Sequence, residues 1–360
     1  MPDLSDPAAA GDALARLQAA VHAFAFVADE HDLTAPGAHL RVGSIYHRLG
    51  AEIARCEQAG YSRETICGHL TDARLACRES PFLRRTQEWP SGYPGDFETV
   101  EYLMAQTNRA PAGTLAWHLE AHSLGAPIAQ QHRNKVCHQA RLLTDLLADR
   151  SAKNGREEGR GEEGRDEEGR DDEGRGGDES RKVLILGSGA APDLRLVPPA
   201  LIRRSDVFVL NDIDGKALAL ARDLLGPVAE NCRFMCGNVL TNIARLAALG
   251  PYDLVLAGGM FDYVDRRCAR FVTSKVLTKL CRPGGMFYFA TIGPDNPYRW
   301  WTTYLLDWAV TERDESAICA LLEPARAEIA STSISTDPTG LTLLTHVRRR
   351  TGRELPQAAA

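Results

Sequence analysis

Gly187-Ser188-Gly189 closes the apolar run Val183–Leu186, and Asp212 closes the next apolar run 23 residues after Gly189. Glycines at such a junction let a ligand reach backbone amides at a helix start, because no side chain stands in the way. A carboxylate at the end of the neighbouring strand can accept both hydroxyls of a ribose. Together these residues are the parts of a nucleoside site. A nicotinamide dinucleotide cradle would want a third glycine near residue 192, for close helix–strand packing, and the chain has Pro192 there. The spacing therefore points to a nucleoside ligand without a pyrophosphate.

These residues need a sheet to hold them. From Arg181 onward, short apolar runs alternate with helical periodicity. Strands are expected over Val183–Leu186, Val207–Leu210, Arg233–Cys236, Leu254–Ala257 and Met286–Thr291, with helices over Gly215–Leu225, Val239–Leu249 and Asp265–Leu280. Asp337-Pro338-Thr339-Gly340 is a strong turn between two further strands, Ala327–Ile334 and Leu341–Val347. That grammar predicts an α/β fold: a mainly parallel sheet covered on both faces, with an antiparallel edge from the terminal hairpin. Ligands of such sheets bind beyond the carboxyl ends of the central strands.

The first 150 residues read differently. Helical spacing recurs over Asp12–Glu30, Gly43–Ala59, Ser62–Cys77, Asp96–Gln106, Gly113–Ala121 and Ala126–Asp149, with no β-branched alternation before residue 182. The organisation expected is a helical domain over 12–150, a linker over 151–180, an α/β domain over 181–350 and a short tail over 351–360. The linker carries the charge. Residues 155–180 hold twelve acids, five arginines and eight glycines and no apolar side chain, and a segment of this kind cannot offset its ordering entropy. It reads as an insertion between modules or as a docking segment for a basic partner. Without it, 37 basic residues face 36 acidic ones, so the net charge of -6 belongs to this stretch. A near-neutral remainder argues against nucleic-acid binding. No apolar run is long enough to span a membrane, and nine cysteines without a CxxC fit reduced thiols in a cytoplasmic protein. Oligomeric state is left open, a homo-oligomer included.

Residues 183–350 resemble a class I S-adenosylmethionine-dependent methyltransferase. The resemblance rests on LILGSGAAPDL (184–194), LNDID (210–214), AGGMFDYV (257–264) and the LCRPGG turn (280–285) before the fifth strand. More narrowly, SGYPGDFETVEYL (91–103), QQHRNKV (130–136), GNVL (237–240), GMFDYV (259–264) and GPDNPYRWW (293–301) are similar to a bacterial family assigned to biosynthesis of a 3-hydroxy-fatty-acid methyl ester signal (3-hydroxypalmitic acid methyl ester). The resemblance implies a seven-stranded Rossmann-like sheet, S-adenosyl-L-methionine as cofactor, and a small-molecule methyl acceptor, by family likeness a carboxyl or hydroxyl oxygen of a fatty or natural-product acid. Gly187, Gly189 and Gly258 would lie against the cofactor. Asp212 would take the ribose diol and Asn238 the adenine, while Asp214 would cap the following helix. The first motif has apolar residues at 185–186 rather than the commoner acid, so the cofactor amino group must be met from elsewhere, with Asp262 or the helical domain as candidates.

On the same resemblance the acceptor would sit against Met260, Phe261, Asp262 and Tyr263, with Asp262 and Tyr263 orienting it and serving chemistry second. Met260 and Phe261 read equally as packing. Tyr93 and Asp96 lie in a Tyr-Pro-Gly-Asp turn that is either a helix cap or a lid. Arg133 is a candidate partner for a carboxylate, or an ordinary ion-pair arginine. Tyr298, Trp300 and Trp301 open an aromatic-rich stretch that would wall an apolar pocket or pack a helix. No metal is expected: His118 and His122 share a helix face, but no acid or cysteine completes a ligand set. The rival readings are an N- or C-methyltransferase, and a catalytically silent cofactor-binding scaffold.

Overall fold

The computed structural model describes residues 7–157 and 180–352. The acidic repeat, and with it the expectation of a structureless linker, lies almost wholly outside them. The chain forms two compact units: residues up to Arg133 together with Pro294–Val310, and Asn134–Gly293 together with the chain from Thr311 onward.

The first unit is helical: α1 (Pro7–Ala25), α2 (Val27–Glu30), α3 (Ala38–Gln58), α4 (Arg63–His69), α5 (Thr71–Cys77), α6 (Pro81–Glu88), α7 (Phe97–Ala105), α8 (Leu115–Gly125) and the first turns of α9 (Pro127–Glu157). Side-chain caps set the starts. Ser62, Ser80, Asp96 and Thr114 each accept the amide three residues on, at Thr65, Leu83, Thr99 and Trp117. The helix expected over Ser62–Cys77 is two helices that break at Leu70. The helix α6 was not expected, although Ser80-Pro81 carries both a cap residue and a proline at the first helical position.

This unit's core draws on Leu17, Phe24, Leu49, Ile53 and Leu119, and on Trp301, Tyr304 and Leu305 from the distant stretch Pro294–Val310. The Trp301 ring sits 4.6 Å from Tyr46 and 6.5 Å from Phe24. Arg74 pairs with Asp307 and donates to the Tyr304 carbonyl at 2.7 Å. So the aromatic stretch after the fifth strand is helical-unit core.

The second unit is a seven-stranded sheet of order β3-β2-β1-β4-β5-β7-β6. Its strands are β1 (Lys182–Leu186), β2 (Val207–Asp212), β3 (Cys232–Cys236), β4 (Tyr252–Ala257), β5 (Cys281–Ile292), β6 (Ile329–Thr336) and β7 (Thr342–Arg349). The crossovers and flanks hold α10 (Gly215–Leu225), α11 (Val239–Leu249), α12 (Arg266–Lys275) and α13 (Glu315–Leu322). Pairs β1–β2, β1–β4, β2–β3 and β4–β5 are parallel, and β7 runs antiparallel to both β5 and β6. This is the mainly parallel α/β sheet with an antiparallel terminal pair that the sequence predicts. Strand β7 lies one place in from the edge, and its antiparallel pair with β6 forms that edge of the sheet, as expected of the terminal hairpin.

Both sheet faces are covered. One packs Val255, Phe287 and Phe289 against Val272, Val276 and Ile318. The other packs Val183, Ile185, Phe208 and Leu256 against Leu218 and against Leu143 and Leu147 of α9. The later turns of α9 are thus part of the sheet's core, and the chain passes between units inside this helix. Leu143 is fully buried. We expect Leu143→Ala to cost the sheet unit about 2–5 kcal/mol in urea unfolding; a loss below about 0.5 kcal/mol would show that α9 is not part of that core.

Candidate functional site

The chain departs in opposite directions from β1, to β2 on one side and β4 on the other, so a crevice opens beyond their carboxyl ends. Gly187 and Gly189 line it with φ of 61° and 53°, a region side chains rarely adopt. A methyl group built on Gly187 would also lie 3.3 Å from Met260 Cβ, so the turn after β4 closes on the glycine loop.

Asp212 ties the loop to β2. One carboxylate oxygen accepts the Gly189 amide at 2.7 Å and the other accepts the Asp214 amide at 2.9 Å. Its carbonyl accepts the Gly237 amide at 2.8 Å, and Asn211 donates to the carbonyls of Met235 and Gly237. The ends of β1, β2 and β3 are therefore one hydrogen-bonded rim. Asp212 is 8% exposed, and burial raises its carboxyl above the usual range against the pull of those amides. Asp214 caps α10 through the Lys216 amide. Asn238 is exposed and caps α11 through the Leu240 amide, which engages the oxygen expected to face a base.

Past β4 the residues divide. Gly258 is buried beneath Gln139 of α9, whose carboxamide oxygen lies 2.1 Å from where a Cβ of residue 258 would stand. Met260 is half-buried. Phe261 is fully buried and stacks on Phe289 at 4.8 Å, so it belongs to the sheet's core rather than to a ligand wall. Tyr263 is 38% exposed. Asp262 is 2% exposed and accepts Lys135 Nζ at 3.1 Å and the Ile292 amide at 2.9 Å, while its carbonyl accepts the Thr311 amide at 2.8 Å. Arg313 adds donors to the Phe261 and Val264 carbonyls at 2.5 and 2.6 Å. In this geometry Asp262 holds the turn in place.

The remaining sequence candidates belong to the helical unit. Asp96 caps α7 and pairs with Arg85, so its oxygens serve the cap. Arg133 donates to the carbonyls of Leu103 and Leu124 and to Gln130, and among the described residues no carboxylate pairs with it. Trp301 is core, Trp300 packs against Gly50, and Tyr298 and Tyr93 are half-buried. His118 and His122 turn their Nε2 atoms on the backbone carbonyls of Leu33 and His39. Among the described residues no helix is long and apolar enough to cross a membrane.

Sequence reasoning missed two residues of α9: Lys135 and Gln139. It also missed Asp193, buried in the loop after Gly189, where burial pushes the carboxyl up to about 6. A signal for the two α9 residues was present. A helix whose sheet-facing side reads Leu142, Leu143, Leu146 and Leu147 turns polar one turn earlier.

No protein-family model matches the sequence, and no curated protein matches it. Among solved structures it is similar to a possible exported protein from Bordetella parapertussis, at 15% identity and a TM-score of 0.52 over 96% of this chain and 100% of that one. Weaker likenesses include an O-methyltransferase family protein from Burkholderia thailandensis (16% identity, TM-score 0.39, 65% of this chain and 63% of that one). Human N-acetylserotonin methyltransferase in complex with SAM follows at 16% identity and TM-score 0.36, over 47% of this chain and 48% of that one. At 15% identity the first of these likenesses describes the fold alone.

Two outcomes follow from the charges. Lys135 and Asp262 are 3% and 2% exposed, so Lys135→Met leaves an uncompensated buried carboxylate and should cost about 3–5 kcal/mol in urea unfolding. Adding Asp262→Asn should recover part of that loss; a single variant within about 0.5 kcal/mol of the parent would contradict the arrangement. Asp193 has its carboxyl raised from 3.8 to about 6 by folding. The native state therefore favours the protonated form, and stability is lost as pH rises through about 6. Asp193→Asn should raise Tm at pH 8, with the gain shrinking as pH falls to about 4.5. A gain independent of pH would rule out the buried charge as its source.

Proposed function

We propose that the chain is an S-adenosylmethionine-dependent methyltransferase that acts on a small-molecule acceptor. The observation that carries this reading is the rim formed by Gly187, Gly189 and Asp212 at the β1–β2 end, with its positive-φ glycines and a buried carboxylate hydrogen-bonded to the glycine loop. These residues fit the nucleoside end of that cofactor. Each Asp212 oxygen keeps a second lone pair for a ribose hydroxyl. Pro192 departs from a dinucleotide cradle. When bound, the cofactor supplies a methyl group made electrophilic by its sulfonium.

The chain's own residues would then bind, align and exclude water. Gly258, Gly259 and Met260 lie beside Gly187, on the side of β1 away from Asp212, where the 5′ substituent of a nucleoside would fall. The acceptor belongs beyond them, with Tyr263 the exposed polar side chain of the post-β4 turn. By the sequence resemblance we place the transferred methyl on a carboxyl or hydroxyl oxygen of a fatty or natural-product acid. A carboxylate acceptor asks only for alignment; a hydroxyl asks also for a base.

Calorimetric titration with S-adenosylhomocysteine tests the reading. We expect a Kd in the micromolar range or tighter for the parent chain and a loss of at least about 10-fold in Asp212→Ala, since hydrogen bonds to a charged group are worth about 1.5–3 kcal/mol. Binding of NAD with no binding of S-adenosylhomocysteine would overturn it. Incubation of candidate acids with labelled cofactor, read as a product heavier by one methylene, tests the acceptor class.

A further inference from the structure

The crevice makes no use of the acidic repeat. Residues 158–179 hold eleven acids against four arginines, a net charge of -7. Such a tract binds by charge only where cations gather. The sheet unit carries a surface of that kind.

Helices α11 and α12, with the turn Val276–Leu280 that continues α12, pack side by side on one face of the sheet. Residues 239–249 and 266–280 contain six cations and no acid: Arg245, Arg266, Arg267, Arg270, Lys275 and Lys279. Helix α12 buries Ala269, Val272 and Thr273 and leaves Arg266, Arg267 and Arg270 exposed. Arg245 and Lys279 are exposed as well, and Lys275 holds its Nζ 5.3 Å above the exposed Phe271 ring. Among the described residues no carboxylate forms an ion pair with any of the six. Acids stand at the borders of this face and are engaged there: Asp265 caps α12 through the Cys268 amide, and Glu323 pairs with Arg326. Like charges gathered this way repel, and an anion seated among them relieves the repulsion.

The chain brings its acidic tract to this face. It leaves the described residues at Glu157, the end of α9, and returns just before β1. Lys182, the first residue of β1, donates from Nζ to the carbonyl of Leu249, the last residue of α11, at 3.4 Å. Arg245 is one turn before that carbonyl, and Lys279 is two residues before β5. Strands β1, β4 and β5 are parallel, so these cations lie at the end of the sheet where the tract rejoins it. Twenty-two residues span at most about 75 Å, and a loop held at both ends reaches about half as far. Arg266 and Lys275 are only about 14 Å apart along their helix. Tethering also presents the tract at an effective concentration on the order of millimolar.

We propose that residues 158–179 dock in cis on the basic face of α11 and α12. The contact is made on the helical layer and at the strand starts, at the opposite end of the sheet from the glycine loop, and it stands independently of the methyltransferase reading. Held there, the tract neutralises a surface that would otherwise gather free polyanions.

Lysines on opposite faces of the sheet allow a direct test. Lys275 and Lys279 belong to the proposed surface, whereas the exposed Lys216 opens α10, which packs the other face. Zero-length carbodiimide cross-linking of the full chain, mapped by mass spectrometry, should join tract acids to Lys275 and Lys279 at least about fivefold more often than to Lys216 in low salt. The yield should fall about fivefold or more in about 0.5 M salt, where exposed charges are screened within a few ångströms. Arg266→Glu, Arg267→Glu and Arg270→Glu combined should lower it by a similar factor although both lysines remain. In an equal mixture of unlabelled and isotope-labelled chains, the joined peptides should carry one label only. The salt arm needs no variant, so it decides the matter even if the triple variant folds poorly. Absence of these cross-links, equal yield at Lys216, or indifference to salt would overturn the proposal. Isotopically mixed products would overturn it in favour of a second copy as the partner.

Discussion

Asp262 and Lys135 are joined where neither meets water, and much of the sheet unit is organised by that contact. The carboxylate ties α9 to the turn after β4 through Lys135, and the same turn to the end of β5 through the Ile292 amide. The Asp262 carbonyl receives the chain as it re-enters the unit at Thr311, and Arg313 fastens the turn on either side through Phe261 and Val264. Breaking one partner of such a pair strands a charge in a low-dielectric interior, at several kcal/mol. The turn that faces the glycine loop is therefore rigid, and Gly258 and Met260 keep their positions beside Gly187. A ligand crevice with one fixed wall needs the other wall fixed too, and Asp212, bonded to the Gly189 amide, does that for the β1–β2 side.

The sheet was legible in the sequence because strand and helix periodicities differ and turn residues punctuate them. Gly187, Gly189, Asp212 and Asp214 fell at strand ends and a helix start by spacing alone. What spacing could not supply was the partner across space. Phe261 and Trp301 carry no mark that separates a pocket wall from a core, and both are core. Asp96 and Arg133 look equally suited to ligand or fold, and local amides and carbonyls claimed them. The tie between Pro294–Val310 and the helical unit joins residues more than two hundred positions apart, such as Arg74 and Asp307. Helix α9 was visible as a helix, but its division between two units was not. That depends on which apolar face finds the sheet, and the polar turn at 135–139 gains meaning only once Gly258 lies beneath it.

Burial of acids recurs around the crevice. Asp193, Asp212 and Asp262 are each largely out of water, and each is met by donors: the Leu194 amide at Asp193, the Gly189 and Asp214 amides at Asp212, and the Ile292 amide with Lys135 at Asp262. Asp193 is the one whose carboxyl burial pushes up to about 6. A fold selected for stability alone would favour an amide or an apolar side chain there.

The central claim is that the β1–β2 rim holds a nucleoside by its ribose while the β1–β4 side holds what the nucleoside carries. A crystal structure of the full chain grown with S-adenosylhomocysteine tests it most directly. The account predicts both ribose hydroxyls within hydrogen-bond reach of the Asp212 carboxylate, and the 5′ substituent beside Gly187 and Gly258. Ligand density away from the glycine loop, or a ribose that left Asp212 bonded only to Gly189 and Asp214, would contradict it.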